Sequence, residues 1–558
     1  MKKAIKAFFI GTLLAGLFSC AKISDEPFDF NQHDVVYSDS LFIRHYINAL
    51  YNYIPHGYNR LGNAMLDAST DLAVNSRNNS PAFRIGTGAW GPSNNPDDAW
   101  NNNYRGIRAV NIFFRDIEPN IDPRVISDQE YLNALRGQGY FLRALFYSEL
   151  VKRYGGVPIF EDVFDGDDEM TLSRENYDDA IAYIVAQCDS AAAYLPVRYS
   201  DNNASDFGRA TKGAAMALKA RMLLYAASPL FNDPSESNGS PWKGAYDASR
   251  WEAAADAAYQ VIALDEYELF ESYKHFFITI GPENREMIFN RVTEPHNNIE
   301  RLNGPTGITG GQGATNPSLN LVESYMMADG TNFSWDNPVH AANPFGFREA
   351  RFSQSILWNG SSWMGHSVQT FEGGADMQSI LSTKTGFYMR KLKDQNARWF
   401  GGQQGVGYHC WPIIRYAEVL LNFAEAMNEA YGPYADPAGY GLTAAMAVNK
   451  IRQRAFLPPN TIPTDLAKDE MRRLIHRERK IEMAFEEHRT FDLRRWKTAM
   501  EVLNEPVRGL RIIKNTDGSF TYEIKDVESR TFSERMYLYP IPQIEINKNP
   551  QLIQNPGW

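Results

Sequence analysis

The most regular pattern in the chain is a set of apolar stripes at helical spacing. Between Tyr131 and Tyr154, the residues Leu132, Leu135, Tyr140, Leu142, Leu145, Phe146 and Leu150 recur at a period near 3.6, which predicts a long helix stopped by Gly155-Gly156-Val157-Pro158. Residues 175–195 repeat the pattern up to Pro196, 211–227 carry it through a dense run of Ala to Ser228-Pro229, and 251–264 form a fourth segment. Helical spacing also begins at Leu41 and again at Trp100, and a later group covers 412–430, 442–455 and 469–496. Small Ala residues permit close approach, so these segments pair as in tetratricopeptide-type repeats, with irregular intervals marking insertions. Residues 76–97 and 281–410 have a different texture, rich in Gly, Asn, Ser and aromatics with few long periodic runs, and 537–558 read as irregular chain on the surface. The pattern predicts a mostly α fold in one domain, 37–558. A tetratricopeptide-like helix-pair scaffold covers about 37–280 and 411–500, a loop-rich insertion about 281–410, and an irregular C-terminal region 501–558.

Ahead of this body, Met1-Lys2-Lys3 leads into an apolar stretch from Ala4 to Phe18, then Ser19-Cys20. A short cationic start and a brief apolar run form an export signal, too short for an ordinary spanning helix. Its end at Cys20 resembles the cleavage box of bacterial lipoproteins. That resemblance implies removal of 1–19, lipidation of Cys20 and a polar tether over 20–36. Asp25 and Glu26 resemble the surface-export tags of Bacteroidetes lipoproteins. No later segment approaches the ~20 apolar residues of a membrane helix.

Charge narrows the partners. Without residues 1–19 the chain carries 53 Lys+Arg against 67 Asp+Glu, a balance of −14. Such a body repels phosphate backbones, and no basic stripe compensates, so nucleic acid is not an expected partner. With Cys20 lipidated, Cys188 and Cys410 remain. They could pair in an oxidising compartment, although a free buried Cys is the commoner state. No CxxC supports a cysteine zinc site.

Six ordered segments together carry a family resemblance. They are Gly137 to Ala144 with Arg153-Tyr154-Gly155-Gly156-Val157-Pro158; Gly208-Arg209-Ala210-Thr211 continuing to Ser228-Pro229; Arg415 to Leu421 with Ala424-Glu425-Ala426; Val448 to Ala455; Glu478 to Glu482 with Phe485-Glu486, His488-Arg489 and Phe491 to Trp496; and Pro540-Ile541-Pro542 with Gln554 to Trp558. Spread over nearly the whole mature chain, they resemble the SusD/RagB family. Two departures stand out: Phe456, where the family usually has Gly, and Arg348-Glu349-Ala350-Arg351-Phe352, where Asp-Pro-Arg is usual. Both are read as local turn changes. The resemblance implies a lipid-anchored, surface-exposed outer-membrane protein. Such a protein captures nutrients, typically oligosaccharides, and passes them to a TonB-dependent barrel of the SusC type. The RagB branch implies peptides as the alternative ligand.

Glu478, Glu482 and Glu486, four residues apart, line one helix face about 6 Å apart. Retaining glycosidases use carboxyls about 5 Å apart, which makes a hydrolase conceivable. The interleaved Arg477, Arg479, Arg489, Arg494 and Arg495 favour ion pairing instead, which keeps the acids ionised and unfit as general acids. Ion pairing is likewise expected of Arg415, Glu418 and Glu425. The acidic run 161–169 misses the EF-hand spacing; carboxylates there could hold Ca²⁺, but a solvated loop is expected, and no cofactor is. Gly307 to Gly313 lacks the Lys-Ser/Thr of a phosphate loop and reads as flexible.

Sugar binding needs an aromatic face for C–H patches and planar polar groups for hydroxyls. Trp90 lies in a run of Gly, Pro, Ser and Asn that no helix buries easily, and is expected to be the stacking platform, with Asp71, Arg77 and Asn94 adding polar contacts. In the insertion, Trp335, Trp358, Trp363, His296 and Asn298 are further candidates, each equally able to be core or to face a barrel partner. Trp100, Trp411 and Trp496 are expected in the core. A scaffold that binds only its barrel is the remaining rival.

Overall fold

The computed structural model describes residues 39–164, 171–199, 206–235, 240–402, 404–458 and 462–558. The signal segment 1–19, Cys20, the tether 20–36 and the acidic run from residue 165 lie outside the described residues. Helices dominate: α1 (Ser40–Leu50), α2 (Trp100–Ile112), α3 (Gln129–Tyr154), α4 (Tyr177–Tyr194), α5 (Lys212–Ala227), α6 (Arg250–Ile262), α7 (Tyr416–Tyr431), α8 (Ala444–Arg454), α9 (Lys468–Glu482) and α10 (Arg489–Arg495). Neighbours in sequence pack in succession, α2 on α3 and so on through α6, after which α6 meets α7, and α7 carries α8 and α9. Among the described residues no helix is long and apolar enough to cross a membrane.

Local chemistry sets these boundaries. Asp128 caps α3 by accepting from the Glu130 and Tyr131 amides, and Gly155, at φ +77°, closes it by donating to the Val151 carbonyl. Glycines also set how closely helices approach: a Cβ on Gly106 would sit 2.7 Å from the Phe146 ring, and one on Gly139 2.8 Å from Phe114. Thr211 caps α5, whose Ala214, Ala215, Ala217 and Ala220 are buried against its neighbours. Cys188 and Cys410 are both free and buried.

Three expectations are corrected. The segment 412–430 does not begin as helix: Cys410–Arg415 is strand β4, paired antiparallel with β2 (Met287–Val292), and α7 follows directly. This pairing clasps the two ends of the insertion together. The segment 469–496 breaks into α9 and α10, with Phe485 and Glu487 in the left-handed region at φ +66° and +64°. The break is stabilised from outside. Arg415 and Lys391 donate to the Glu482 carbonyl, Lys391 also to that of Ala484, and the Asp67 carboxylate accepts from the Phe485 and Glu487 amides. These groups satisfy backbone atoms that a helix end leaves unpaired. Finally, the 501–558 region holds an antiparallel hairpin, β5 (Val507–Lys514) with β6 (Phe520–Glu528), and its tail is not a surface coil. Tyr537, Tyr539, Ile541 and Asn555 are buried, with the Asn555 amide donating to the Tyr154 and Tyr539 carbonyls.

Phe456 follows the C-terminal end of α8 at φ +59° and is 73% exposed. A left-handed position costs an L-residue about 1–2 kcal/mol, partly offset by the greater freedom of glycine in the unfolded chain. Phe456→Gly is therefore expected to stabilise the protein by up to about 1 kcal/mol, read as a higher denaturation midpoint at unchanged m-value.

Candidate functional site

The insertion carries its own small core of Ile308, Leu357, Trp363, Met364, Val368, Tyr388 and Trp399. Across it runs the glycine-rich segment 304–313, which is pinned rather than flexible. The Gly307 amide donates to Asp376 Oδ1 at 2.8 Å, and the Gln312, Gly313 and Ala314 amides donate to the Arg301, Gly304 and Leu302 carbonyls. Glycine is required by close approach: a Cβ on Gly311 would lie 2.1 Å from the Pro305 oxygen, and one on Gly304 2.5 Å from the Trp399 ring.

Two groups of side chains contact this segment or its neighbours. In the first, the short strands β1 (Ala73–Asn75) and β3 (Thr315–Pro317) pair, so the residues after β1 meet those before β3. Arg77 there donates to Gln312 Oε1 at 2.5 Å while its buried Nη1 has no partner, and Lys384 Nζ donates to Asn78 Oδ1 at 2.8 Å. Burial lowers the Arg77 guanidinium below its ordinary value, yet it stays charged at neutral pH. In the second, Trp399 donates to the Thr309 carbonyl at 3.0 Å and stands edge-on to half-buried Phe400 at 5.1 Å. His366 lies beside the segment with Nε2 2.8 Å from the buried Asp376 carboxylate. The result is a ridge flanked by a guanidinium, two amides, an ammonium, an imidazole and an aromatic edge. That chemistry suits a polyhydroxylated ligand.

Of the residues expected to bind, Arg77 is part of this face. Trp90 is not an open platform. It is 5% exposed, its ring 5.1 Å from Tyr539 and 4.9 Å from Trp558, because the C-terminal tail folds over its loop. Asp71 is buried and committed to Arg489 (2.8 and 2.9 Å) and Lys480 (3.1 Å); burial raises its carboxyl, but these cations outweigh that and hold it well below the carboxylate range. Asn94 is exposed near Trp90. Trp363 is 1% exposed and lies under the Lys393 ammonium at 4.5 Å. Trp358 is half-buried and stacks on Phe352 at 4.9 Å, and half-buried Trp335 donates to Glu323 at 2.9 Å. His296 is half-buried and Asn298 exposed, at the start of the short helix Asn298–Leu302. Trp100, Trp411 and Trp496 are core. Asn78, Gln312, Lys384, His366 and Phe400 are not among the candidates read from the sequence; the cluster of glycines at 304–313 is the sequence signal in their neighbourhood.

Glu478 and Glu482 of α9, and Glu486 beyond the end of that helix, are ion-paired, though not with the arginines interleaved among them. Glu478 meets Arg351, Glu482 meets Arg351, Arg415 and Arg454, and Glu486 meets Arg415 and Lys391. Helix geometry explains the exchange of partners: adjacent residues point apart, so Arg479 reaches Asp492, Arg489 reaches Asp71, and Arg495 reaches Glu425. Glu418 is held by Arg221 at 2.6 Å. A separate cleft of about 170 Å³, lined by Tyr199, Arg209, Tyr267 and Arg285, is a weaker candidate. Its Arg209 is already committed to Asp206, Gln138 and Asn48, and its Arg285 to backbone carbonyls.

Residues 282–558 match the model of the SusD family, and residues 28–224 match a second model described as starch-binding, associating with the outer membrane. The chain belongs to the SusD/RagB family. Solved members share the whole architecture. A SusD-like protein from Bacteroides fragilis is 28% identical, with 94% of this chain and 98% of that one covered at a TM-score of 0.78. A SusD-like carbohydrate binding protein from the same organism is 25% identical, with 93% and 100% covered at a TM-score of 0.75. SusD-like protein P25 of Formosa agariphila is 22% identical over 97% of this chain and 96% of its own length. Within Arg348-Glu349-Ala350-Arg351-Phe352, where Asp-Pro-Arg is usual, the Arg351 guanidinium is fully buried on Glu349, Glu478 and Glu482.

Proposed function

We propose that this SusD/RagB member binds oligosaccharides or polysaccharides at the cell surface without cleaving them. It hands them to a TonB-dependent outer-membrane barrel of the SusC type while lipidated Cys20 holds it to the membrane. The observation that carries this reading is the match of both halves of the chain to family models, one described as starch-binding and outer-membrane-associated, together with the carbohydrate-binding B. fragilis relative. The binding face is the ridge 304–313 with Arg77, Asn78, Gln312, Lys384, His366 and Phe400. The reading of a non-catalytic protein is supported by Glu478, Glu482 and Glu486, each matched by a buried cation.

The test is a panel of glycans and peptides applied to purified residues 21–558 beside Arg77→Ala. Loss of a hydrogen bond to a charged group removes about 1.5–3 kcal/mol. A bound glycan should therefore be held roughly tenfold or more weakly by the variant, with an unchanged circular dichroism spectrum. Peptide binding with silence across the glycans would overturn the proposal.

A further inference from the structure

Three donor groups meet where the insertion rejoins the scaffold. His296 lies just beyond β2, Glu300 in the helix Asn298–Leu302, and His409 immediately before β4. His409 Nε2 lies 2.8 Å from Glu300 Oε1, the His296 and His409 rings stack with centroids 4.5 Å and planes 7° apart, and one donor atom from each of the three residues lies within 4.8 Å of the others. Glu300 and His409 are fully buried and His296 half-buried, open toward solvent. His409 Nδ1 and Glu300 Oε2 are buried without a hydrogen-bond partner, as is the hydroxyl of Tyr58, whose ring stands edge-on to both imidazoles. An unmet buried polar atom costs about 1–3 kcal/mol, so the free Glu300 oxygen beside the imidazoles points to a missing partner. The site is already fixed on its protein side. His296 and Gly407 exchange backbone hydrogen bonds at 3.0 Å, and Glu300 Oε1 also accepts from the Asp394 amide at 2.8 Å.

We propose that His296, Glu300 and His409 bind a divalent cation of the zinc class. Two imidazoles and a carboxylate are the donor set that suits Zn²⁺, with a fourth position left for water. Metal–nitrogen bonds of about 2.0–2.1 Å require the donors to draw in, which the half-exposed His296 ring does by turning out of its stack. The ion clips two segments 113 residues apart in sequence, beside the β2–β4 clasp at the root of the insertion.

The experiment uses untagged residues 21–558, stripped with EDTA, titrated with ZnCl₂ by calorimetry and with CoCl₂ by visible absorption. One equivalent should bind, with d–d bands of a tetrahedral Co²⁺ site and a rise in thermal midpoint on zinc addition. Even outer-shell changes cost 10–100-fold in metal affinity, so His296→Ala, which removes a ligand at a half-exposed position, should lose at least that much. Glu300→Gln, of equal size, should behave likewise. Equal zinc binding by wild type and His296→Ala, or no binding by wild type, would overturn the assignment.

Discussion

Replacing Arg415 with Ala is expected to destabilise the fold by at least about 3–5 kcal/mol, the range for stripping one partner from a buried ion pair. Its guanidinium is 1% exposed and bonds Glu286, Glu482 and Glu486 at 2.7–2.8 Å, so the variant leaves three acids facing one another without their shared cation. Urea midpoints measure the effect, and poor recovery of folded protein is its extreme form. Arg511→Ala is the contrast. That side chain is about half exposed where it pairs with Glu372 and Glu523, and such pairs contribute about 0–1 kcal/mol. Equal midpoints for the two variants would refute the assigned role of Arg415.

The same network carries an acid sensitivity. Burial alone would raise the Glu482 carboxyl, but Arg454, Arg415, Arg351 and Lys391 outweigh it and hold it well below the carboxylate range. A carboxyl depressed in the folded state stabilises fully above its unfolded value near 4.3 and loses that contribution as pH falls toward its folded value. Stability is therefore expected to hold near neutrality and fall progressively below about pH 5.

Trp90→Ala is expected to act on stability rather than as loss of an exposed binding platform. The indole fills space between Tyr539 and Trp558 under the C-terminal tail, and large-to-small changes at buried aromatics cost about 3–5 kcal/mol. The tail should loosen with it, because Trp558 loses a ring partner while keeping its indole bond to the Leu538 carbonyl. Hydrogen exchange over 537–558 beside a melting curve reads both effects. A variant with unchanged stability that loses ligand would instead return Trp90 to the binding face.

The helical scaffold was legible because its signals are local. The stripe over 131–154 and the Gly155 stop lie within one run of chain, and the observed α3 spans Gln129–Tyr154. The Ala-rich 211–227 segment and its Ser228-Pro229 stop were legible for the same reason. The ordered family segments added the fold. The surroundings of the candidate residues were less legible: Arg77 was read from the sequence as a candidate, but the Gln312 it contacts is 235 residues away and carries no signature of its own.

The sequence by itself determined the helix-pair architecture, the family and the ion-paired character of the C-terminal acids, since period, breakers and charge composition are properties of the chain read locally. Tertiary structure decided which cation meets which acid, where 469–496 breaks, and which tryptophans face solvent. No Gly or Pro marks residues 483–488; the break exists because Lys391, Arg415 and Asp67, distant in sequence, hold the freed backbone groups. Trp90 sits in a loop that reads as open, yet the tail some 450 residues later covers it, and burial is a property of what arrives from elsewhere.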